Sequence, residues 1–362
     1  MRVLFAILLI IHMLIHILGF AWSRLYASEF AQVPATQSLL WFLATVLISV
    51  TTILFIRKKP TWVLLAIPAL ITSQLLIYLN WDAAKYGSIL NLIILLVIII
   101  SIAGWKFEKS FKKDKIDAII ANSVSGKIIS EADIAMLPLP VKKYLKYSGF
   151  LDKPEIENFE IRFSGQMREK NKNWFSFTTE QLNTIDPPGR YFFMKANYKG
   201  VSTQGYHKYD GKTARMLIKP LSIFKVIDIS SRKLLKSEMV TYLNDVCIFA
   251  PGALINDKFS FENMGNHTVK VTYTYAEISI SAVMEFGEEG QLINFFSNDR
   301  YDLGEKKKFL FSTPVGGYKS FNGYNLPSYG ETIWHYPDAD FVYGKFNALE
   351  VNFNIDRKIN NS

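Results

Sequence analysis

Four stretches of the chain, residues 3–20, 39–56, 62–79 and about 89–104, contain no Asp, Glu, Lys or Arg. A helix needs roughly 20 apolar residues to cross a hydrocarbon layer, and only a segment that satisfies its own backbone hydrogen bonds persists there. The pattern therefore predicts a four-helix transmembrane region over residues 1–105. Trp22, Trp41, Trp62, Tyr78, Trp81 and Trp105 stand near the ends of these stretches, as amphipathic rings do at a water–lipid boundary. Arg2 before the first stretch and Tyr26-Ala27-Ser28 after it resemble a leader with a weak cleavage site. Its apolar run is long for a leader, so it is kept as a span.

Charge sets the orientation. Arg2, Arg57, Lys58, Lys59, Lys106, Lys109, Lys112, Lys113 and Lys115 fall on one side of the spans, against Arg24 and Lys85 on the other. Basic connecting segments stay on the cytoplasmic side. The expectation is an integral multi-pass protein of a bacterial inner membrane, with both termini and the C-terminal domain in the cytoplasm. The formal net charge of +9 sits mostly at these membrane edges. From residue 116 onward acidic and basic residues nearly balance, which argues against binding of nucleic acid.

Residues 106–151 read as a basic juxtamembrane linker with short helices, residues 107–120 being a basic helix or linker whose lysines are placed to meet anionic headgroups. In "SEADIAMLPLPVKKYLKYSG" two short helices are expected, Ser130 capping the first and Pro140 opening the second. From 152 to 357 the apolar period falls to two. Val269, Val271, Tyr273 and Tyr275 alternate with polar residues, as do Ile278, Ile280, Ala282, Met284 and Phe286. Similar runs at 159–167, 174–182, 191–198, 214–218, 292–296 and 349–355 are separated by turn residues. The fold class expected is a membrane α region followed by an α+β domain. In that domain about nine to eleven strands form a mostly antiparallel, curved, half-barrel-like sheet with one wetter face. One helix covers it, marked by Leu235, Met239, Tyr242, Leu243 and Val246 at helical spacing.

Four ordered landmarks, "VKKYLKYSGF", "MVTYLNDVCIFAPGAL", "SAVMEFGEEGQLINFFSNDRY" and "GYNLPSYGETIWHYPDADFVYGKF", resemble a family of bacterial proteins known as a domain of unknown function. The resemblance covers about residues 138–355 and leaves the four spans outside it. In broad layout the domain is also similar to the half-barrels of lipoprotein-carrier (LolA-like) proteins. That similarity implies acyl chains held against a concave apolar face, outside the cytoplasm. The charge distribution of this chain implies the opposite side, and the orientation here follows the charges.

No phosphate loop, dinucleotide fingerprint, zinc-protease helix or nucleophile elbow is present, so no cofactor and no metal are expected. Cys247, the single cysteine, reads as a small buried hydrophobe. His207 and His267 read as strand histidines. Asp299, Arg300, Glu331 and His335 are the candidates for catalysis, although Glu331 and His335 lie roughly 13 Å apart along a strand. Glu238 and Asp245 share a helix face and are expected to be solvated. Phe175, Phe177, Phe192, Met194, Met216, Ile218 and Phe295 are the candidates for lining an apolar cavity. The leading expectation is a membrane-anchored protein whose β domain binds an apolar or lipid-like ligand. Its rivals are an enzyme acting on a membrane-associated substrate and a module docking a protein of unknown identity.

His12 and His16 lie one turn apart within the first span, at depths near Thr45 and Gln74. With no acidic residue or cysteine in the spans to complete a metal site, hydrogen bonding between helices is expected of them.

Overall fold

The computed structural model describes residues 2–25, 34–122 and 125–356. Contacts divide the chain into two units, Met1–Lys106 and Phe107–Ser362. Tyr26-Ala27-Ser28 and Glu29, and the last expected residue of the β domain, lie outside the described residues.

The first unit consists of α1 (Arg2–Leu25), α2 (Ala35–Ile56), α3 (Trp62–Leu79), the single turn α4 (Trp81–Ala84) and the start of α5 (Gly87–Ala121). α1, α2, α3 and α5 are long and apolar enough to cross a membrane. Phe5, Phe55 and Trp62 meet edge to face at one end of the bundle, with ring centroids 5.0–5.9 Å apart. Near the other end Trp41 lies over Gly19, where a Cβ would come within 2.4 Å of the indole ring.

A polar chain links three of the helices. Asn91 Nδ2 donates to Gln74 Oε1 (3.0 Å), and Gln74 Nε2 donates to Ser88 Oγ (3.1 Å). The Ser73 hydroxyl donates to Asn91 Oδ1 (3.1 Å). Its one proton is thereby used, so Ser73 accepts from His12 Nε2 at 3.1 Å. Thus His12 and Gln74 hydrogen-bond between helices, whereas the hydrogen bonds of His16 and Thr45 stay within their own helices and His16 meets α2 through the Trp41 ring, 5.3 Å away. His16 Nδ1 donates to the His12 carbonyl (3.0 Å) and Thr45 to the Trp41 carbonyl, each within its own helix. A carbonyl one turn back is always within reach of such a side chain.

α5 runs for 35 residues, so the basic segment after the fourth span takes the helical one of the two forms expected. Phe107, Phe111, Ala118 and Ile119 of that segment pack with Leu182, Tyr191, Phe193, Tyr206 and Leu217. Lys115 is not a headgroup lysine: it pairs with Glu160 (2.6 Å) and Glu180 (2.7 Å) and is only 13% exposed. In "SEADIAMLPLPVKKYLKYSG" one helix forms instead of two, α6 (Leu139–Tyr147). Ser130 bonds Asp133 through both its amide and its hydroxyl, which closes a turn that goes no further.

The sheet has fourteen strands, more than the alternating runs suggested, and all its pairings are antiparallel. In chain order its first six are β1 (Asn158–Met167), β2 (Phe175–Thr184), β3 (Gly189–Tyr198), β4 (Val201–Tyr209), β5 (Ala214–Pro220) and β6 (Ile227–Ile229). After α7 (Arg232–Phe249) come β7 (Phe259–Asn263), β8 (Thr268–Tyr275), β9 (Ile278–Phe286) and β10 (Leu292–Ser297). β11 (Tyr301–Asp302) and β12 (Lys307–Lys308) pair apart from the sheet. The last four are β13 (Leu310–Ser312), β14 (Val315–Phe321), β15 (Tyr324–His335) and β16 (Asp340–Phe353). The spatial order is 6-5-4-3-2-1-16-15-13-10-9-8-7, with β14 paired to β15.

β4 and β8 are third and twelfth in that order, some 43 Å apart in a flat sheet at about 4.8 Å per strand. Yet the hydroxyls of Tyr209 on β4 and Tyr273 on β8 lie 3.0 Å apart. The sheet therefore bends until its two ends approach each other. α7 lies inside the bend, with the Tyr242 ring against both Tyr209 and Tyr273 and its hydroxyl donating to the Thr184 carbonyl. Ser231 caps the helix by accepting from the Leu234 amide.

Because side chains alternate across a strand, β2–β5 carry two apolar faces. One meets α7 and the other meets residues 107–119 of α5. The wetter outer face expected from the alternation is thus covered over part of these strands, where the first six residues of β3 are all buried, and remains at exposed Ser176, Thr178, Lys195 and Arg215.

Candidate ligand-binding site

α7 does not fill the bend completely. A cavity of about 230 Å³ remains between its polar side and the sheet. Phe163, Met167, Phe192, Ile248, Phe249, Phe311, Val315 and Phe346 supply its apolar wall. Gln181, Arg190, His207, Glu238, Asn244, Asp245 and Arg300 supply its polar groups. For scale, a cavity of ~150 Å³ admits benzene.

Elementary periodicities bring the polar groups together. Glu238, Thr241 and Asp245 are spaced three and four apart and share one side of α7. Across the sheet Asn183 stands opposite Arg190, Gln181 opposite Phe192, and Phe192 opposite His207, which places these side chains on one face.

Arg190 is held between two carboxylates, with Nε donating to Asp245 Oδ2 (2.7 Å) and Nη1 to Glu238 Oε2 (3.0 Å). Its Nη2 donates to Gln181 Oε1 (3.2 Å), and the guanidinium lies 4.8 Å from the centre of the Phe192 ring. Asp245 Oδ2 also accepts from Gln181 Nε2 and Asn183 Nδ2. His207 Nδ1 meets Glu238 Oε1 at 3.0 Å, and its ring stands edge-on to Phe192. Such a network is costly to break because all its members except the half-buried His207 are removed from water.

The two carboxylates respond differently to burial. Burial alone would raise Glu238, but the hydrogen bond and charge of His207, with the charges of Arg190 and Arg300, outweigh it and hold Glu238 down to about 2. At Asp245 burial prevails over the pull of Arg190, Asn183 and Gln181, and its pKa is raised. The sequence suggested that both acids are solvated; both are buried, because this side of α7 faces the sheet and not solvent.

Arg300 differs from Arg190. Among the described residues it forms no ion pair, and its hydrogen bond is to the Tyr343 hydroxyl (2.6 Å). Its guanidinium carbon lies 4.1 Å from the Phe311 ring centre, 5.1 Å from Trp334 and 5.8 Å from Tyr343. The Thr332 hydroxyl, in the same wall, has no hydrogen-bond partner among the described residues.

The residues singled out from sequence are dispersed. Of the four catalytic candidates, Arg300 lines the cavity. Asp299 accepts from the Ser281 amide and Lys308, and these bonds outweigh burial to lower its pKa. Glu331 accepts from the Tyr329 hydroxyl, and His335 lies between Ser312 and Asp340. No hydrogen bond or ion pair joins any two of the four among the described residues. Of the seven apolar candidates, Phe192 lines the cavity. Phe177, Met194 and Phe295 are buried in the main core, and Phe175 and Met216 pack at its margin. Ile218 is half-buried on β5, opposite Gly205 and Ile227. Cys247 is fully buried, which pushes its thiol up and leaves it inert. Among the described residues no three His, Cys, Asp or Glu gather as a metal site.

The model of DUF6544, described as a family of unknown function, matches residues 127–346. This chain belongs to that family. The match takes in every residue named above as lining the cavity, so in this DUF6544 protein the cavity is part of the family domain. No curated protein matches the chain. A LolA superfamily protein from Nitrosomonas europaea is a similar solved structure, at 8% identity and a TM-score of 0.34. The similarity covers 62% of this chain and 96% of that one.

Proposed function

We propose that the DUF6544 domain binds an apolar or lipid-like ligand in the cavity between α7 and a half-barrel-like sheet. The four apolar helices anchor it as a multi-pass protein of a bacterial inner membrane, with the domain on the cytoplasmic side. The observation that carries this reading is the cavity itself, a void of a size that well-packed interiors lack, with an aromatic wall facing a few convergent polar groups. Its size suits a single short chain or one ring, and a longer chain would extend out of it.

A series of linear 1-alkanols titrated into the full chain in lipid discs, with empty discs as reference, tests the proposal. Affinity should rise about fourfold per methylene, the equivalent of ~0.8 kcal/mol, until the cavity is full, and then level off. Absence of saturable binding above the empty discs would refute it.

A second reading, an enzyme acting on a membrane-associated substrate, has its support in His207. Its imidazole stands in the cavity wall, oriented through Nδ1 by Glu238, as a general base requires. Hydrolysis of p-nitrophenyl octanoate by the full chain, abolished in His207→Gln, is the outcome this reading expects. Equal rates in the two proteins would remove it.

A further inference from the structure

The two guanidinium groups of the cavity are in opposite states. Arg190 is paired with two carboxylates, Glu238 and Asp245, and also donates to Gln181. Arg300 offers the same five donors, and among the described residues a tyrosine hydroxyl takes one of them and no carboxylate lies within ion-pair distance. The aromatic rings of Phe311, Trp334 and Tyr343 pack around its guanidinium. Arg300 is half-buried, so its remaining N–H groups are partly withdrawn from water and stand ready for an acceptor that enters the cavity.

We propose that Arg300 is the head-group receptor of this cavity, and that the ligand is a single-chain aliphatic carboxylate. The proposal rests on the reading of the cavity as an apolar ligand site. A carboxylate matches the planar donor fork of a guanidinium through two parallel hydrogen bonds. Its one negative charge pairs with a guanidinium that, among the described residues, has no carboxylate within ion-pair distance. A phosphate would bring a second negative charge toward Glu238, which the site already keeps ionised. The hydrocarbon chain then lies along Phe163, Phe249 and Phe346 in the remaining volume, where its burial supplies affinity.

The test compares octanoate with 1-octanol, the same chain without the charge. Carboxyl-labelled octanoate is followed by carbon NMR on the full chain in lipid discs, and octanol by its competition with a labelled alkanol, with empty discs as reference. Octanoate should bind saturably and at least tenfold more tightly than octanol. In Arg300→Gln octanoate should fall to the level of octanol, while octanol is unaffected. Arg300→Lys, which keeps the charge and loses the fork, should fall between the two. Equal binding of octanoate and octanol by the unaltered chain would overturn the assignment of Arg300 and leave the apolar site standing. Failure of both to bind above empty discs would overturn the site as well.

Discussion

Arg190 is buried between Glu238 and Asp245, so removing one acid strands a charge out of reach of water. Asp245→Ala should cost about 3–5 kcal/mol, read as a drop in thermal midpoint of the full chain in lipid discs. Lys113→Ala breaks an exposed pair with Asp117 and should change stability by less than about 1 kcal/mol. Glu238 adds a dependence on pH. Its pKa falls from the ordinary 4.5 to about 2 on folding, so the stability it contributes is complete above 4.5 and lost as the pH falls through 2. Asp245, whose pKa is raised, acts with the opposite sign. Glu238→Gln should therefore flatten the fall in thermal midpoint between pH 4.5 and 2, and an unchanged slope would contradict the assignment. At this scale the sequence showed that Glu238 and Asp245 share one side of a helix. Whether that side faced water or a sheet depends on Arg190, some 50 residues earlier, and nothing local to α7 encodes it.

Among the elements, α7 and the second half of α5 have similar work on opposite faces of β2–β5, but unequal signatures. The apolar stripe of α7 is plain at helical spacing. In residues 107–119 the packing residues Phe107, Phe111, Ala118 and Ile119 are interleaved with four lysines, and charge masked the apolar face. The pairing of Lys115 with Glu160 and Glu180 shows where part of that charge goes. Phe111 is fully buried and stacks on Phe193 at 5.2 Å. Phe111→Ala should cost about 3–5 kcal/mol, measurable as lost thermal stability, whereas a segment merely resting on headgroups would lose almost none. The strands missed from sequence have similar causes. β4 interrupts its alternation with Gly205 and small polar residues, and β15 contains Pro327 and Gly330, which read as breaks. Alternation identified the strands with clear periods. It carried no information on whether the interior was full, since a cavity wall and a dry core are written in the same residues.

At the scale of the molecule, a four-helix unit precedes a DUF6544 domain whose bent sheet and α7 enclose a space. The bias of basic residues toward Arg57, Lys58, Lys59 and the start of the domain predicts a cytoplasmic C-terminus. A C-terminal alkaline phosphatase fusion, active only outside the cytoplasm, should be inactive, and a C-terminal green fluorescent protein should be bright. The central claim is that the cavity holds a small apolar ligand. Native mass spectrometry of the full chain released from lipid discs tests it most directly, alongside Ala348→Phe, which places a ring in the cavity wall. The account predicts a reproducible small amphiphile retained on the unaltered protein and missing from Ala348→Phe. An unaltered protein that is always empty, or an adduct that persists when the cavity is filled, would contradict it.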